Sequence, residues 1–353
     1  MSLSEKFRRS IRSSAPTRIC DLGGWTDTWF AEYGSVLNIA VSPSVEVQLD
    51  VFRNDGNSAR FTIHARDFGD CYTITQPNGS YDRHPLIEAA LDCMRPPEEL
   101  ALELTIASDA PAGCSTGTSA AVTVAIIGAL DALTPGRLGP YEVAATAQRI
   151  ETEFLHRQCG IQDQLAAAFG GISFIEMHRY PQAKVHRIML PTATEQELSA
   201  RLALIYVGQG HTSSEVHEMV IRTLENAGSE APQLQRLRAI AASGRDALHG
   251  DDFVAFGRMM IENTEAQADL HPQLVGAAHQ QIIAIARECG ALGWKVNGAG
   301  GEGGSVTLLC GSDQAEREAM LRTIERANPE YRVIPVRPSA EGLRVWELSD
   351  GPP

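Results

Sequence analysis

Apolar residues alternate with polar ones along several short stretches in the first half of the chain. Between positions 45 and 52 every odd-numbered residue is valine or leucine, and residues 100–106 repeat this pattern. A period of two places the apolar side chains on one face of a strand, so both stretches are predicted to be half-buried strands. Four further strands are predicted at 35–41, 61–64, 172–177 and 185–190.

A period of about 3.6 residues dominates the second half of the chain and predicts helices. Residues 122–133 are mostly Ala, Val, Ile and Leu, which indicates a largely buried helix. The other predicted helices are 85–94, 141–156, 164–169, 214–226, 233–248, 252–265, 274–289 and 313–327. Further strands are predicted at 202–207, 332–336 and 343–348, and within 295–309 around a glycine cluster.

The order of these elements favours two domains. Polar residues 191–196 separate an N-terminal domain, 1–195, from a C-terminal domain, 196–353. Strand meanders followed by runs of helices predict an α+β fold of two layered domains rather than a doubly wound sheet.

Composition narrows the function. Of 353 residues, 43% are apolar and 21% are charged, as in a globular protein with a sizeable core. A formal charge of −14 argues against nucleic acid or an anionic membrane as partner, but not against one bound nucleotide. Seven scattered cysteines without a CxxC pair favour reduced thiols in a cytoplasmic protein. Neither a secretory signal nor a charge-free stretch of transmembrane length is present.

A turn rich in small and hydroxyl residues, 111–121, connects the strand at 100–106 to the buried helix. The turn contains Gly113 and Gly117 with four hydroxyl residues, Ser115, Thr116, Thr118 and Ser119. The free N–H groups and the dipole of such a helix start can bind a phosphate, and hydroxyls there can reach a metal. The other interpretation is an ordinary capped core helix, because serine and threonine are common caps. The segment alone leaves both open.

Three other segments have a functional and a structural interpretation. Gly298, Gly300 and Gly303 match the dinucleotide-binding fingerprint. That motif needs a helix after the glycines, but residues 305–309 are predicted to be a strand, so a dehydrogenase is not favoured. A glycine-rich hairpin with a structural role is the alternative. Asp163 could cap the helix at 164–169, and Asp27 could be a cap beside a surface Trp25. Sequences of the Walker A and HExxH types are absent.

Four segments, 15–27, 111–121, 160–164 and 296–305, occur in an order that resembles the signature segments of the GHMP small-molecule kinases. Within that family the chain is most similar to the sugar kinases, namely galactokinase, fucokinase and the heptose-phosphate kinases. The resemblance implies a mixed α/β N-terminal domain, a ferredoxin-like C-terminal domain and an active site between them. It also implies a phosphotransferase that uses an alcohol group as acceptor, with ATP as donor and Mg²⁺ as cofactor.

The resemblance also implies roles for individual residues. Asp163 corresponds to the catalytic aspartate, a base or an electrostatic partner for the acceptor hydroxyl, and Arg18 to the arginine that supports it. Mg²⁺ would bind Glu151, not its neighbour Glu153, and a hydroxyl of Ser119 or Thr118. The ATP phosphates would contact Pro111, Gly113, Cys114, Ser115, Thr116, Gly117, Thr118 and Ser119, and the substrate would contact Asp27, Trp25, Gly24, Gly300 and Gly301.

Departures from the family pattern bear on the substrate. Ser115, Thr116 and Thr118 replace the usual phosphate-loop residues, so the metal-binding hydroxyl stays open, and Glu302 adds a negative charge to the glycine cluster. Gly24-Trp25 stands where galactokinases have Glu-His, which puts galactose in doubt.

The indole face of Trp25 suits the C–H surface of a sugar. We therefore expect the substrate to be a fucose-like sugar or a manno-heptose (7-phosphate), phosphorylated at its anomeric hydroxyl. The distal phosphate of the heptose would need a cation, for which Arg83, His84 and His211 are the candidates. A catalytically inactive protein that senses a sugar or a nucleotide on the same scaffold is the alternative function. The sequence leaves the oligomeric state open.

Overall fold

The computed structural model describes residues 7–56, 58–77, 79–135, 137–208 and 214–348. Its larger sheet is built around a 20-residue strand, β2, which pairs with β6 along its first third and with β5 along its second half. The strands are β1 (Phe7–Leu22), β2 (Gly34–Arg53), β3 (Phe61–Ala65), β4 (Asp70–Ile74), β5 (Leu100–Ser108), β6 (Ile172–Arg179) and β7 (Gln182–Ile188). The predicted strands at 35–41 and 45–52 are therefore one continuous strand.

Strand β1 was not predicted, because small polar residues occupy much of its buried face. Ser13 is fully buried and its hydroxyl donates to the carbonyl of Ala125, 2.6 Å away. Thr17 is also buried and donates to the carbonyl of Pro43 at 3.0 Å. Each buried hydroxyl thus has a partner, which removes most of the cost of burying it.

Four helices cover one face of this sheet: α1 (Pro85–Met94), α2 (Thr118–Asp131), α3 (Pro140–Arg149) and α4 (Gln162–Phe169). Helix α2 is central and buries ten of its fourteen residues, as its apolar sequence predicts. It begins four residues earlier than predicted, so the first turn includes Thr118 and Ser119. Helix α3 ends at Arg149 and continues as a π-helical turn, Ile150–Phe154, within the predicted helix 141–156.

The second half forms a smaller antiparallel sheet with its own helices. The sheet order is β11 (Arg332–Ile334), β8 (Leu202–Tyr206), β10 (Ser305–Leu309) and β9 (Gly293–Val296). The helices are α5 (Thr192–Arg201), α6 (Ser214–Ala227), α7 (Pro232–His249), α8 (Phe253–Leu270), α9 (Ala277–Glu288) and α10 (Gln314–Ala327). Helices α7 and α8 also bury the second face of the larger sheet, where Leu237 and Phe256 join the cluster of Ile19 and Leu37. This arrangement confirms the α+β prediction.

The chain returns to the larger sheet after the smaller one. Strand β12 (Arg337–Pro338) pairs with β2, and β13 (Arg344–Leu348) pairs with β1. The predicted boundary between residues 195 and 196 lies inside α5, and residues beyond it complete the first sheet. No helix among the described residues combines the length and the apolar character needed to span a membrane.

The docking of the last strand can be tested through its packing on α2. A Cβ placed on Gly128 would lie 2.7 Å from Leu343 Cδ1, so the two backbones approach closely there. Leu343→Asp should lower the free energy of unfolding by on the order of 2 kcal/mol, because the carboxylate would be pressed against an apolar helix. Leu348 is 39% exposed, so Leu348→Asp should lower the free energy of unfolding, measured by urea titration, far less. Equal losses for the two variants would contradict this docking.

Candidate active site

The turn at 111–117 places the start of α2 at the centre of the molecule. Gly117 precedes the helix with φ of +71°, a conformation that glycine adopts without strain, and no side chain caps the helix. The interpretation of this segment as a capped core helix is therefore wrong. Ser119 is exposed, and the first-turn N–H groups of α2 lack a side-chain acceptor.

The side chain of Arg18 connects this turn to α4. Its Nε and Nη2 donate to the two carboxylate oxygens of Asp163 at 2.8 and 3.1 Å, and Nη1 donates to the carbonyl of Ser115 at 2.5 Å. The Arg18 backbone N–H donates to the carbonyl of Thr116 at 2.9 Å. Burial alone would lower the pKa of Arg18, but the charges of Asp163 and Asp21 outweigh it and raise the pKa. The guanidinium is therefore permanently charged.

A second buried charge pair, which the sequence analysis missed, lies beside the first. Lys295 Nζ is 3.4 Å from Asp21 Oδ1, and both side chains are 1% exposed. Asp21 also accepts the backbone N–H of Gly298 with both oxygens, at 3.1 Å each. Burial lowers the pKa of Lys295, and the Asp21 charge opposes that shift. This pair fixes the glycine cluster next to Arg18.

The carboxylate of Asp27 supports the N-terminus of α4. Its Oδ2 accepts the backbone N–H groups of Ile161 and Gln162, each at 3.0 Å. Asp163 lies within the first turn of α4 and does not cap it, so the capping alternative for Asp163 is wrong. Burial raises the pKa of Asp27 to about 6, although the N–H group of Gln162 counteracts the shift.

Glu151 lies in the π-helical turn after α3, a feature that is frequent at functional sites. Its Oε1 accepts a hydrogen bond from Gln164 Nε2 at 2.7 Å, and burial raises the pKa of its carboxyl group. Glu153, two residues later, is 67% exposed in its side chain and pairs with Arg149. Glu151 and Ser119 face the same cavity, whereas Glu153 does not line it.

That cavity, which we call the acceptor cavity, has a volume of about 440 Å³. Its lining combines aromatic and apolar side chains with carboxylates and glutamines. The lining residues are Arg18, Asp21, Trp25, Asp27, Thr28, Trp29, Phe30, Ser119, Ala120, Glu151, Gln158, Cys159, Gly160, Gln162, Asp163, Gln164, His217, Glu218, Ile221, Gly298 and Ala299.

The glycines predicted to contact substrate lie outside this lining. Gly300 and Gly301 pack against the loop at Leu274, where the Gly301 N–H donates to the Leu274 carbonyl at 3.0 Å. Gly298 and Ala299 line the cavity in their place. Gly24 lies behind it, next to Asp21.

A second, mainly apolar cavity of about 250 Å³ lies on the other side of the α2 N-terminus. Ser119 lines both cavities. The other residues of this second cavity are Ala65, Asp67, Phe68, His84, Pro85, Leu86, Ile87, Ile106, Ala110, Ala112, Gly113, Thr118, Val122 and Arg157. Pro111, Cys114, Ser115, Thr116 and Gly117 are outside this lining; Cys114 and Thr116 are buried within the turn.

Of the residues predicted to hold a distal phosphate, Arg83 and His84 do not line the acceptor cavity. Arg83 pairs with Asp70 and lies over the ring of Tyr72. His84 lines the second cavity and contacts Asp70 at 3.0 Å. His211 lies outside the described residues.

Substitution of Gly160 tests the position of Asp27. An alanine Cβ at Gly160 would lie 2.0 Å from Asp27 Oδ2, so the carboxylate must move away from its two N–H donors. Gly160→Ala should lower the free energy of unfolding by about 1–3 kcal/mol, the cost of unpaired buried groups, in urea titrations. Gly139→Ala is the control, because its Cβ would meet only Glu142 Oε2, at 3.5 Å. Unchanged stability of Gly160→Ala would contradict the geometry.

Comparisons with known proteins agree with this geometry. Residues 85–171 match the model of the GHMP kinases N terminal domain. The chain is 26% identical over 351 residues to D-glycero-alpha-D-manno-heptose 7-phosphate kinase of Campylobacter jejuni, covering 96% of this chain and 100% of that one. It is 25% identical to the bifunctional fucokinase/GDP-fucose pyrophosphorylase of Arabidopsis thaliana, covering 92% of this chain but 32% of that longer protein.

Among solved structures, a D-glycero-D-manno-heptose 1-phosphate kinase from Bacteriodes thetaiotaomicron superimposes with a TM-score of 0.73. It is 24% identical, and the match covers 96% of this chain and 100% of that one. At this identity the likeness shows the two-domain fold. Together with the matched N-terminal domain and the arrangement of Arg18, Asp163 and the α2 turn, it agrees with a resemblance of the chain to the GHMP kinases.

Proposed function

We propose that this protein is an ATP-dependent sugar kinase that transfers the γ-phosphoryl group to a sugar hydroxyl. The observation that carries the proposal is that two cavities of different character meet at Ser119. One is mainly apolar and bounded by the phosphate turn; the other combines aromatic side chains with carboxylates, Asp163 among them. A donor and an acceptor bound in these cavities would meet at the start of α2.

The second cavity suits the nucleotide. Its apolar side chains provide a surface for a base, and Phe68 is 67% exposed at its edge. The phosphates would lie at the uncapped N-terminus of α2, whose N–H groups and dipole favour negative charge. Arg157, which also lines the cavity, adds a positive charge in place of a Walker-type lysine. ATP as donor and seven unpaired cysteines are consistent with a cytoplasmic reaction.

The acceptor cavity supplies the chemistry at the hydroxyl. Phosphoryl transfer depends mainly on positioning and charge stabilisation. Asp163 would accept the proton of the hydroxyl or hold it by charge attraction while Arg18 keeps the carboxylate in place. The fixed Arg18 charge also lies beside the turn that would bind the transferred phosphoryl group. Both residues act without moving, because their contacts are already formed.

Mg²⁺ fits the residues between the two cavities. The carboxylate of Glu151 and the hydroxyl of Ser119 are hard oxygen ligands that face the same space. Mg²⁺ commonly takes one or two protein ligands and completes its shell with phosphates and water. The ion would neutralise phosphate charge, and Gln164 holds the carboxylate of Glu151 in position for it.

The lining of the acceptor cavity favours a neutral, fucose-like sugar. Of the described residues, the basic ones in this lining are Arg18, which is committed to Asp163, and His217, whose pKa is lowered by burial. Trp25 and His217 meet edge to face, with ring centroids 6.0 Å apart, and would pack against the C–H surface of a sugar. A manno-heptose 7-phosphate remains the other candidate, with the anomeric hydroxyl as acceptor in both.

An assay of ADP release separates a kinase from a non-catalytic sensor on the same scaffold. Purified protein with ATP and Mg²⁺ should release ADP when L-fucose or a manno-heptose 7-phosphate is added, and far less with galactose. Product NMR should place the phosphate on the anomeric oxygen. Sugar binding without ADP release from any sugar would support the sensor instead.

Asp163→Asn should lower turnover by about 10²–10⁴-fold, because the amide can neither accept the proton nor supply the charge. The affinity for ATP should stay nearly unchanged, since Asp163 lies in the acceptor cavity. Turnover by ADP release and ATP affinity by calorimetry measure the two effects. A parallel loss of both, or unchanged turnover, would contradict the assignment.

Glu151→Gln should raise the Mg²⁺ concentration needed for half-maximal activity, because a neutral amide is a poorer ligand for a hard dication. Glu153→Gln is a matched control on the same helical turn with an exposed side chain, and it should leave the Mg²⁺ dependence unchanged. Activity titrated against Mg²⁺ gives both values. The reverse ranking would assign the metal to Glu153.

A further inference from the structure

Three buried polar atoms belong to residues that line the acceptor cavity and lack a hydrogen-bond partner among the described residues. They are the Trp25 Nε1–H donor and the amide oxygens Oε1 of Gln162 and Gln164. Leaving such an atom unpaired costs free energy, so each one indicates a missing partner. A ring hydroxyl can both donate and accept, and would satisfy either kind of atom.

Gln162 is the most informative of the three. It is 7% exposed, lines the cavity and directly precedes Asp163. Its Nε2 lies 3.5 Å from Asp27 Oδ1. The opposite amide orientation would turn Oε1 toward the carboxylate, so the assigned orientation is the favourable one. With Nε2 facing the carboxylate, Oε1 has no partner among the described residues.

The surroundings leave the amide free to serve a ligand. A contact of 3.5 Å is at the outer limit of a hydrogen bond, and the terminal torsion of glutamine is soft, so Oε1 can turn toward the cavity at little cost.

We propose that Gln162 is a specificity-determining substrate contact, whose Oε1 accepts a hydrogen bond from the ring hydroxyl adjacent to the one held by Asp27. Asp27 uses Oδ2 for the N–H groups of α4 and presents Oδ1 beside Gln162. The two acceptors are therefore neighbours, as two vicinal hydroxyls are. The substrate class is a sugar with a free vicinal diol, and this inference rests on the proposed function.

A thermodynamic cycle, in which the Gln162 side chain and individual sugar hydroxyls are removed separately and together, tests the proposal. Binding of L-fucose and of its 2-, 3- and 4-deoxy analogues is measured by calorimetry, and KM and kcat by ADP release. Gln162→Met should weaken L-fucose about tenfold, the effect of one hydrogen bond, and raise KM more than it lowers kcat. One of the three analogues lacks the hydroxyl held by Gln162. The Gln162→Met variant and the unmodified chain should bind that analogue with equal affinity.

A further variant keeps the test decisive. Gln162→Met is compared with a matched glutamine variant elsewhere in the chain. Gln148→Met removes a buried glutamine amide outside the cavity, one that donates to Tyr180, and should not change the preference for L-fucose over that analogue. Equal weakening of all four sugars by Gln162→Met, or none, would overturn the inference even if the kinase is active. Absence of both sugar binding and ADP release across the sugar panel would overturn the proposed function with it.

Discussion

The buried guanidinium of Arg18 is the interaction on which the candidate site depends. One side chain holds a carbonyl of the phosphate turn, 97 residues away along the chain, and both oxygens of Asp163, 145 residues away. A buried cation must be compensated, and removing one partner leaves an unpaired charge that costs several kcal/mol. Arg18 therefore fixes the position of the turn between the second cavity and the acceptor cavity by electrostatics as well as by packing.

The charged side chains around Arg18 differ in how deeply they are buried. The Asp21–Lys295 pair is almost fully enclosed, Asp27 is buried against the N-terminus of α4, and Asp163 retains 30% of its side-chain exposure. The enclosed pair holds the glycine cluster without reaching bulk solvent. The more exposed carboxylate is the one free to meet a substrate. In the proposed function, the negative charge in the acceptor cavity would disfavour a second anionic group on the acceptor.

Hydropathy patterns predicted the elements whose buried faces are apolar, such as α2 and β5, to within a few residues. They did not predict β1, because Ser13 and Thr17 are paired to carbonyls that no local pattern reveals. The candidate catalytic residues came from the resemblance to a family, and the structure places Arg18 and Asp163 together. Asp21, Lys295 and the orphaned amide of Gln162 were missed, since their partners lie far away in sequence. A buried polar residue helps to predict a strand or a site only when its hydrogen-bond partner is known.

The return of the chain to the first sheet has a consequence for how the site is assembled. The segment before β13 lies against the C-terminal end of α4, where the Leu343 N–H donates to Ala168 and the Gly171 N–H donates to Ser339. Helix α4 carries Asp163, so this candidate catalytic carboxylate is braced by residues synthesised some 180 positions later. During translation the ribosome must complete β13 before this helix acquires all its neighbours. Closing so long a loop is entropically costly, and the site is expected to be among the last parts of the molecule to become ordered.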